Sequence, residues 1–167
     1  HPVNRRQRQM CIRDSFTTCE TPHIIFSISK SLTSLLTGIL VNKKLIDVNT
    51  SVTKILPETI GSAYEDATIR NVLDMNVASN FLEDYSGKAE IFQQYRSSTG
   101  WDIPLNNDMT HLSGLHEFLS NLPKSLNLHG KKYHYCSPHS DLLGWIIERV
   151  SGEKYSCLLY TSDAADD

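Results

Sequence analysis

The sequence predicts a mostly helical globular unit. Four segments place apolar residues at helical spacing, whereas only residues 23–26 and 132–135 look extended. With 167 residues, of which 40% are hydrophobic, the chain forms one ordinary domain at most, or a piece of a larger one. The longest apolar-rich stretch, residues 32–41, is interrupted by threonine, serine and glycine, so we expect no transmembrane helix.

The first predicted helix spans residues 27–44 and carries a complete apolar stripe. The stripe follows the i, i+3, i+4, i+7, i+8 pattern, with Leu32, Leu35, Leu36, Ile39 and Leu40. The basic residues near its end suit the negative pole of a helix C-terminus. Residues 52–56, just before a proline, predict a short turn or helical piece.

Three more helices follow along the chain. The second opens at residues 66–68, where Thr68 or Asp66 can serve as its N-cap. The third and fourth are predicted at 113–121 and 138–150, with Gly152 as the C-cap of the last one. Residues 80–112, rich in glycine, asparagine, aspartate and aromatic residues, predict an ordered but irregular excursion.

The two ends of the chain look foreign to the rest. Residues 5–14 (RRQRQMCIRD) and 157–166 (CLLYTSDAAD) can be encoded by opposite strands of one DNA element, similar to a sequencing-library adapter. We therefore expect adapter-derived ends at 1–14 and 157–167, both loosely packed, around a partial domain at 15–156. The alternative is a basic arm and an acidic tail.

A Ser-x-x-Lys pair stands at the start of the first predicted helix. Spacing i, i+3 places the Ser27 hydroxyl and the Lys30 amine on one helical face, where a neutral amine could accept the serine proton. The helix N-terminus favours negative charge that develops nearby. The pair occurs by chance in many helices, and by itself it is better explained by a capping serine beside a solvated lysine.

A second pattern, Tyr135-x-Ser137, leads into the fourth helix. At such a turn a phenol and a hydroxyl can face one cleft, and a tyrosine beside a lysine ammonium can carry a proton. A core tyrosine at a helix start is the plainer explanation.

The two patterns together resemble the serine hydrolases related to class C β-lactamases and penicillin-binding proteins. The similarity is greatest to the aminohexanoate-dimer hydrolase and esterase branch, through the stretches FSISKSLTSLLTGILV, ATIRNVLDMNVASNFLEDY, RSSTGWD and YHYCSPHSDLLGWIIERVSG. They cover residues 26–152 in the family's order. The resemblance implies an α/β (α+β) protein of β-lactamase/transpeptidase-like fold, of which this chain holds mainly the helical lobe.

The resemblance also implies roles for five residues. Ser27 would form the acyl-enzyme, Lys30 would be its general base, and Tyr135 would pass a proton to the leaving group. Ser137 would hold the hydrogen-bond network of that lysine and tyrosine, where many relatives carry asparagine. Tyr85 matches a substrate-binding tyrosine of the family's cleft; the alternative is an aromatic residue that packs within its loop.

Two departures from the family pattern limit the expectation. No Lys-Thr-Gly or His-x-Gly motif follows Ser137, and in the family that strand supplies a second oxyanion donor, so we expect the chain by itself to be inactive. In the aminohexanoate-dimer hydrolase branch an aspartate that grips the substrate's amine stands where this chain has Tyr95. That difference argues against nylon-oligomer activity.

The predicted function is therefore hydrolysis of a small-molecule amide or ester, without metal or other cofactor. A net charge of −3 gives no case for nucleic acid or an anionic membrane as partner, and no prediction of compartment or oligomeric state follows. The competing class is a non-catalytic ligand-binding or receptor protein on the same fold.

Other candidate sites are weaker. A triad from His134 or His139 with Asp141 lacks a Gly-x-Ser-x-Gly motif. A zinc site at the histidines of 111–116 lacks an acidic ligand pattern. We expect Cys136 to be a small buried filler, and both tryptophans, Trp101 and Trp145, to be packing residues.

Overall fold

The computed structural model describes residue 22, residues 24–102 and residues 114–163. These ranges are mostly helical, as predicted. The helices are α1 (Ser29–Asn42), α2 (Val52–Ile55), α3 (Ile69–Leu73), α4 (Glu90–Ser98), α5 (Leu115–Ser120), α6 (Ser137–Ser151) and α7 (Tyr155–Asp163), with 3₁₀ turns at Phe26–Ile28 and Pro57–Thr59. In the described part of the chain, no helix is long and apolar enough to cross a membrane.

The expectation of extended segments is wrong where it can be examined. Phe26 begins a 3₁₀ turn, and residues 132–135 form no strand, while His23 lies outside the described residues. Strand-like pairing in the described ranges amounts to two isolated antiparallel bridges, Ser51 with Thr68 and Ser79 with Lys124.

Helix α6 is the centre of the fold. Its apolar residues recur at helical spacing, so one wide face is buried against α1, α3 and α5. Gly152 follows the helix with φ 73°, and its N–H donates to the carbonyl of Glu148, which is the predicted C-cap. The buried hydrophobic residues of this helix are Leu142, Leu143, Trp145, Ile146 and Ile147.

The buried face of α1 differs from the predicted leucine stripe. Leu36 and Leu40 are buried, but Leu35 is 65% exposed and Ile39 is 37% exposed. Threonines complete the inner face instead, and the hydroxyl of Thr33 lies 2.9 Å from the Tyr155 hydroxyl at the start of α7. A polar residue is accepted at this buried position because a partner hydroxyl satisfies it.

Helix α7 contradicts the expectation of a loosely packed C-terminal end. It continues from Tyr155 through residues 157–163, and Leu158 and Leu159 pack half-buried against the core. The expected loose packing is therefore wrong for these residues, while the DNA origin of the ends stays a prediction. Residues 1–14 and 164–167 lie outside the described residues.

The second predicted helix, α3, begins with the cap named from the sequence. The Thr68 side chain accepts the backbone N–H of Asn71, and the Asn71 side chain bonds back to the backbone N–H of Thr68. This reciprocal capping box confirms Thr68 rather than Asp66 as the N-cap.

Residues 80–102 are more regular than expected, because α4 lies within them. Phe92 and Tyr95 of this helix join Phe81 and Phe118 in a cluster of mostly edge-to-face aromatic pairs, with ring centroids 5.6–6.3 Å apart. The cluster anchors α4 beside α5, which is shorter than the predicted 113–121. Residues 103–113 lie outside the described residues.

Candidate active site

The structure brings Ser27, Lys30 and Tyr135 together. The Ser27 hydroxyl oxygen lies 2.7 Å from the Tyr135 hydroxyl oxygen, and the Lys30 amine donates to the same serine oxygen at 3.3 Å. The Lys30 nitrogen also lies 5.5 Å from the centre of the Tyr135 ring. Tyr135 is 38% exposed, so it is a surface residue facing the serine rather than a core tyrosine.

The backbone before the serine has an unusual conformation. Phe26 has φ 41°, in the left-handed region that non-glycine residues rarely adopt. The Ser29 hydroxyl donates to the Phe26 carbonyl at 2.7 Å and ties the turn to the first residue of α1. Left-handed non-glycine residues cost about 1–3 kcal/mol and concentrate at functional sites.

A cavity of about 420 Å³ opens beside the serine. It is large enough for a small organic molecule. Its walls come from the start of α1, the loop before α4, α4 itself and the first turns of α6. The residues that line it include Ser27, Ser29, Lys30, Glu83, Tyr85, Tyr95, Arg96, Trp101, Ser137 and Asp141.

Ser137 lines the cavity and binds a glutamate from a distant loop. Its hydroxyl donates to Glu83 Oε1 at 2.9 Å, and its backbone N–H donates to Glu83 Oε2 at 2.9 Å. In the described part of the chain, neither Lys30 nor Tyr135 is its hydrogen-bond partner. Its role in substrate binding and in the network of those two residues stays a prediction.

Tyr85 lies in the cavity wall and is 74% exposed. Its hydroxyl donates to Glu83 Oε1 at 2.5 Å, and its ring packs edge-on against Phe92 at 4.9 Å between centroids. The hydrogen bond to the carboxylate, helped by partial burial, raises the pKa of Tyr85 to about 12. The phenol is therefore protonated throughout the neutral range.

Tyr95 and Asp141 form a second tyrosine–carboxylate pair in the same wall. The Tyr95 hydroxyl donates to Asp141 Oδ2 at 2.5 Å. Burial raises the pKa of Asp141, while this hydrogen bond and the charge of Lys30 oppose the rise. The cavity thus contains a carboxylate, on α6, although Tyr95 occupies the position where the resemblance placed an aspartate.

Trp101 was expected to be a packing residue, and this expectation is wrong. It is 67% exposed at the mouth of the cavity. Arg96 and Asp102 form an ion pair with an N···O distance of 2.8 Å and a hydrogen bond of 2.9 Å, and the backbone N–H of Trp101 donates to the Arg96 carbonyl at 2.9 Å. These contacts fix the backbone on either side of the exposed indole.

The other rejected candidates behave mostly as expected. Cys136 is completely buried, and Trp145 is buried under a parallel stack with His116. His139 is buried too, and its Nδ1 lies 3.1 Å from the Tyr64 hydroxyl. Desolvation lowers the pKa of His139 to about 3, so the ring is neutral.

His134 bonds the Phe81 carbonyl through Nε2 at 2.7 Å. Neither His134 nor His139 contacts Asp141 in the described hydrogen bonds, so the geometry offers no Ser-His-Asp arrangement. His111 lies outside the described residues.

Sequence reasoning missed Glu83 as a residue of the cavity, and it considered Asp141 only for a triad with a histidine. Glu83 stands two residues before Tyr85, and Asp141 one helical turn after Ser137, so each adjoins a recognised motif. That proximity was the available signal. It was insufficient because charged residues near a motif usually face solvent.

The fold and the cleft together define the class. Ser27 and Lys30 lie at the start of α1, and Tyr135 lies just before α6, which packs on α1. The chain has the β-lactamase/transpeptidase-like fold. It matches the structure of a putative 6-aminohexanoate-dimer hydrolase from Bacillus anthracis with a TM-score of 0.71 at 18% identity, over 85% of this chain and 37% of that one. That likeness shows the fold.

A family model described as Beta-lactamase matches residues 12–162, and the chain belongs to this family. It is also 35% identical, over 133 residues, to the 6-aminohexanoate-dimer hydrolase of Paenarthrobacter ureafaciens. The match covers 80% of this chain and 33% of that protein, so the chain spans about a third of the length of the curated relative.

Proposed function

We propose that this chain carries the nucleophilic half of a serine hydrolase that cleaves a small amide or ester through an acyl-enzyme. The observation that carries the proposal is the contact of one hydroxyl with two proton-transfer groups. Ser27 Oγ lies 2.7 Å from the Tyr135 oxygen and 3.3 Å from the Lys30 nitrogen, beside a cavity of about 420 Å³.

In the first step Ser27 Oγ attacks the substrate carbonyl carbon while Lys30, as general base, takes the serine proton. The carbonyl electrons move to its oxygen, which would be stabilised by the Ser27 backbone N–H near the start of α1. Tyr135 gives its proton to the leaving nitrogen or oxygen as the bond to carbon breaks. Lys30 then returns a proton to Tyr135.

The acyl-enzyme is hydrolysed by the reverse sequence. Water attacks the carbonyl carbon of the acyl-enzyme and loses a proton to Lys30, either directly or through Tyr135, which gives its own proton to Lys30 as it takes one from the water; Lys30 then protonates Ser27 Oγ as the bond to carbon breaks. Every proton in the cycle moves between three groups that already lie within hydrogen-bond or near-contact distance. The acid and base are positioned before substrate binds, which is where much of the rate advantage of such sites originates.

Covalent capture tests the proposal directly. The chain, continued to the length of its relatives, is incubated with a fluorophosphonate probe, and the modified peptide is identified by mass spectrometry. We expect the probe on Ser27 and its loss in Ser27→Ala. Ser31→Ala is the matched control, because Ser31 is an exposed serine of α1 whose side chain makes no hydrogen bond in the described part of the chain.

Labelling of Ser29, or equal labelling in Ser27→Ala, would contradict the assignment. A protein that binds a β-lactam or small ester reversibly, with no adduct on Ser27, would instead be the non-catalytic binding protein of the same fold.

A further inference from the structure

Glu83 joins the loop before α4 to the start of α6 through one carboxylate. Its Oε1 accepts the hydroxyls of Tyr85, at 2.5 Å, and of Ser137, at 2.9 Å. Its Oε2 accepts the backbone N–H of Ser137 at 2.9 Å. The residue is half-buried in the cavity wall and lies 54 residues away from Ser137 in the chain.

The contact with Ser137 completes the start of α6. The preceding residue, Cys136, caps the helix with no side-chain hydrogen bond, and Ser137 is the first helical residue. A carboxylate that accepts a first-turn N–H satisfies a donor that the helix leaves unpaired, and its charge suits the positive end of the helix dipole. Glu83 therefore supplies from a distant loop the cap that α6 lacks locally.

The position of Tyr135 depends on this cap. Only Cys136, which is completely buried, separates Tyr135 from Ser137. The direction in which the chain leaves the helix start decides whether the Tyr135 hydroxyl reaches Ser27, 2.7 Å away. A displacement of about 1 Å at a reacting group is enough to cost about 100-fold in rate.

We propose that Glu83 is a positioning residue. It holds Tyr85 directly and Tyr135 through Ser137, the first residue of α6, so that both tyrosines keep their places in the cleft beside Ser27. The role rests on the proposed function for its catalytic consequence, but its structural part stands on the three hydrogen bonds alone. As observed, the carboxylate accepts from one N–H and two O–H groups. A glutamine amide could keep its oxygen on the Ser137 N–H only if both hydroxyls reversed and accepted from its NH₂ group, and it would remove the negative charge from the start of α6.

The test compares Glu83→Gln with Glu83→Asp and with Glu117→Gln, a matched control at an exposed position of α5. Two readouts do not depend on chemistry at Ser27. One is the titration of the Tyr85 phenol, followed by NMR with ¹³Cζ-labelled tyrosine. The other is the amide proton shift of Ser137. The third readout is the rate of fluorophosphonate capture at Ser27 as a function of pH.

In Glu83→Gln we expect the pKa of Tyr85 to fall from about 12 toward that of an ordinary tyrosine. The Ser137 amide shifts upfield as its bond weakens, and capture slows by roughly 10- to 100-fold with a displaced pH profile. Glu83→Asp keeps the charge but shortens the reach, so it restores part of the rate. Glu117→Gln leaves all three readouts unchanged.

An unchanged Tyr85 titration together with an unchanged Ser137 amide in Glu83→Gln would overturn the proposal. If that variant does not fold, Ser137→Ala removes one Glu83 contact while the N–H bond remains, and it must slow capture less than Glu83→Asp. If the fluorophosphonate modifies Ser27 neither in the parent protein nor in any variant, the proposed hydrolase function is refuted. The two NMR readouts still decide the role of Glu83.

Discussion

The hydroxyl oxygens of Ser27 and Tyr135 lie 2.7 Å apart although 108 residues separate them in the chain. Ser27 precedes α1 and Tyr135 precedes α6, and these two helices pack directly on each other. Their packing therefore sets the distance between the proposed nucleophile and its proton carrier. The apolar core on which both helices rest becomes a determinant of the chemistry.

Tyr135→Phe removes the hydroxyl and leaves the ring in place. We expect capture of Ser27 by a fluorophosphonate to slow by about 100- to 10,000-fold, the usual contribution of a positioned acid or base. The measurement is the time course of the labelled peptide in mass spectrometry. Tyr133→Phe is the control, since Tyr133 is 65% exposed and forms no described side-chain hydrogen bond to the site. Equal rates for the two variants would exclude Tyr135 from proton transfer.

Turnover is expected to require a second oxyanion donor. The resemblance assigns that donor to a strand with a Lys-Thr-Gly or His-x-Gly motif, and this chain spans about a third of its curated relative. We expect the chain alone to hydrolyse a short nitrophenyl ester about 100- to 1000-fold more slowly than a version continued to the length of the relatives. Ser27→Ala in both backgrounds measures the background rate. Comparable Ser27-dependent turnover by the chain alone would refute the requirement.

His139 makes stability depend on acidity. Its pKa is about 3 in the folded chain and 6.5 in its ordinary state, so between these values only the unfolded chain binds a proton there. The free energy of unfolding therefore decreases as the pH falls through this window, by up to about 1.4 kcal/mol per unit, and is unaffected by His139 above it. Urea unfolding from pH 7 to pH 4 measures the slope.

The variant His139→Asn isolates this contribution, because asparagine can still bond the Tyr64 hydroxyl but does not titrate. We expect a shallower pH dependence in this variant than in the parent. Asn80→Ala, which changes an exposed residue that does not titrate, keeps the parent slope. Parallel slopes for all three proteins would show that His139 is not the buried neutral group described here.

The end of α1 offers a stabilising substitution. Lys44, just past the helix, has φ 59°, and the N–H of Leu45 donates to the Leu40 carbonyl in the pattern of a Schellman cap. Glycine adopts this conformation without strain, so Lys44→Gly should raise the free energy of unfolding by about 0.5–1 kcal/mol. Lys43 has φ −74°, and Lys43→Gly should lower it instead. Thermal unfolding by circular dichroism compares the two, and a lower midpoint for Lys44→Gly would contradict the account.

Local signals in the sequence predicted local structure well. Helix α6 ends at the expected Gly152 because the cap needs a left-handed backbone conformation, which glycine adopts without strain. Thr68 caps α3 because its side chain reaches an N–H three residues away. Such interactions involve residues within one turn, so the sequence contains all the information that they need.

The predictions that failed concern burial, which depends on the neighbouring element that covers each side chain. Leu35 and Ile39 share the apolar stripe of α1, yet the threonines face the core because Tyr155 of α7 supplies a partner for Thr33. Trp101 has a large apolar side chain typical of a core, but it is 67% exposed and lines the cavity. Periodicity indicates which residues can be buried, but not which of them meet a neighbour.

The candidate site divides in the same way. The sequence by itself determined the Ser27–Lys30 pair, because residues three apart on a helix necessarily share a face. The family motifs identified Tyr135 and Tyr85 as candidate site residues, but the sequence did not predict how far either side chain lies from Ser27. Only the tertiary structure decided that Glu83 binds Ser137 and that Tyr95 binds Asp141, across 54 and 46 residues. Contacts at such separations form when packed helices bring distant loops together, and no local preference of the chain encodes them.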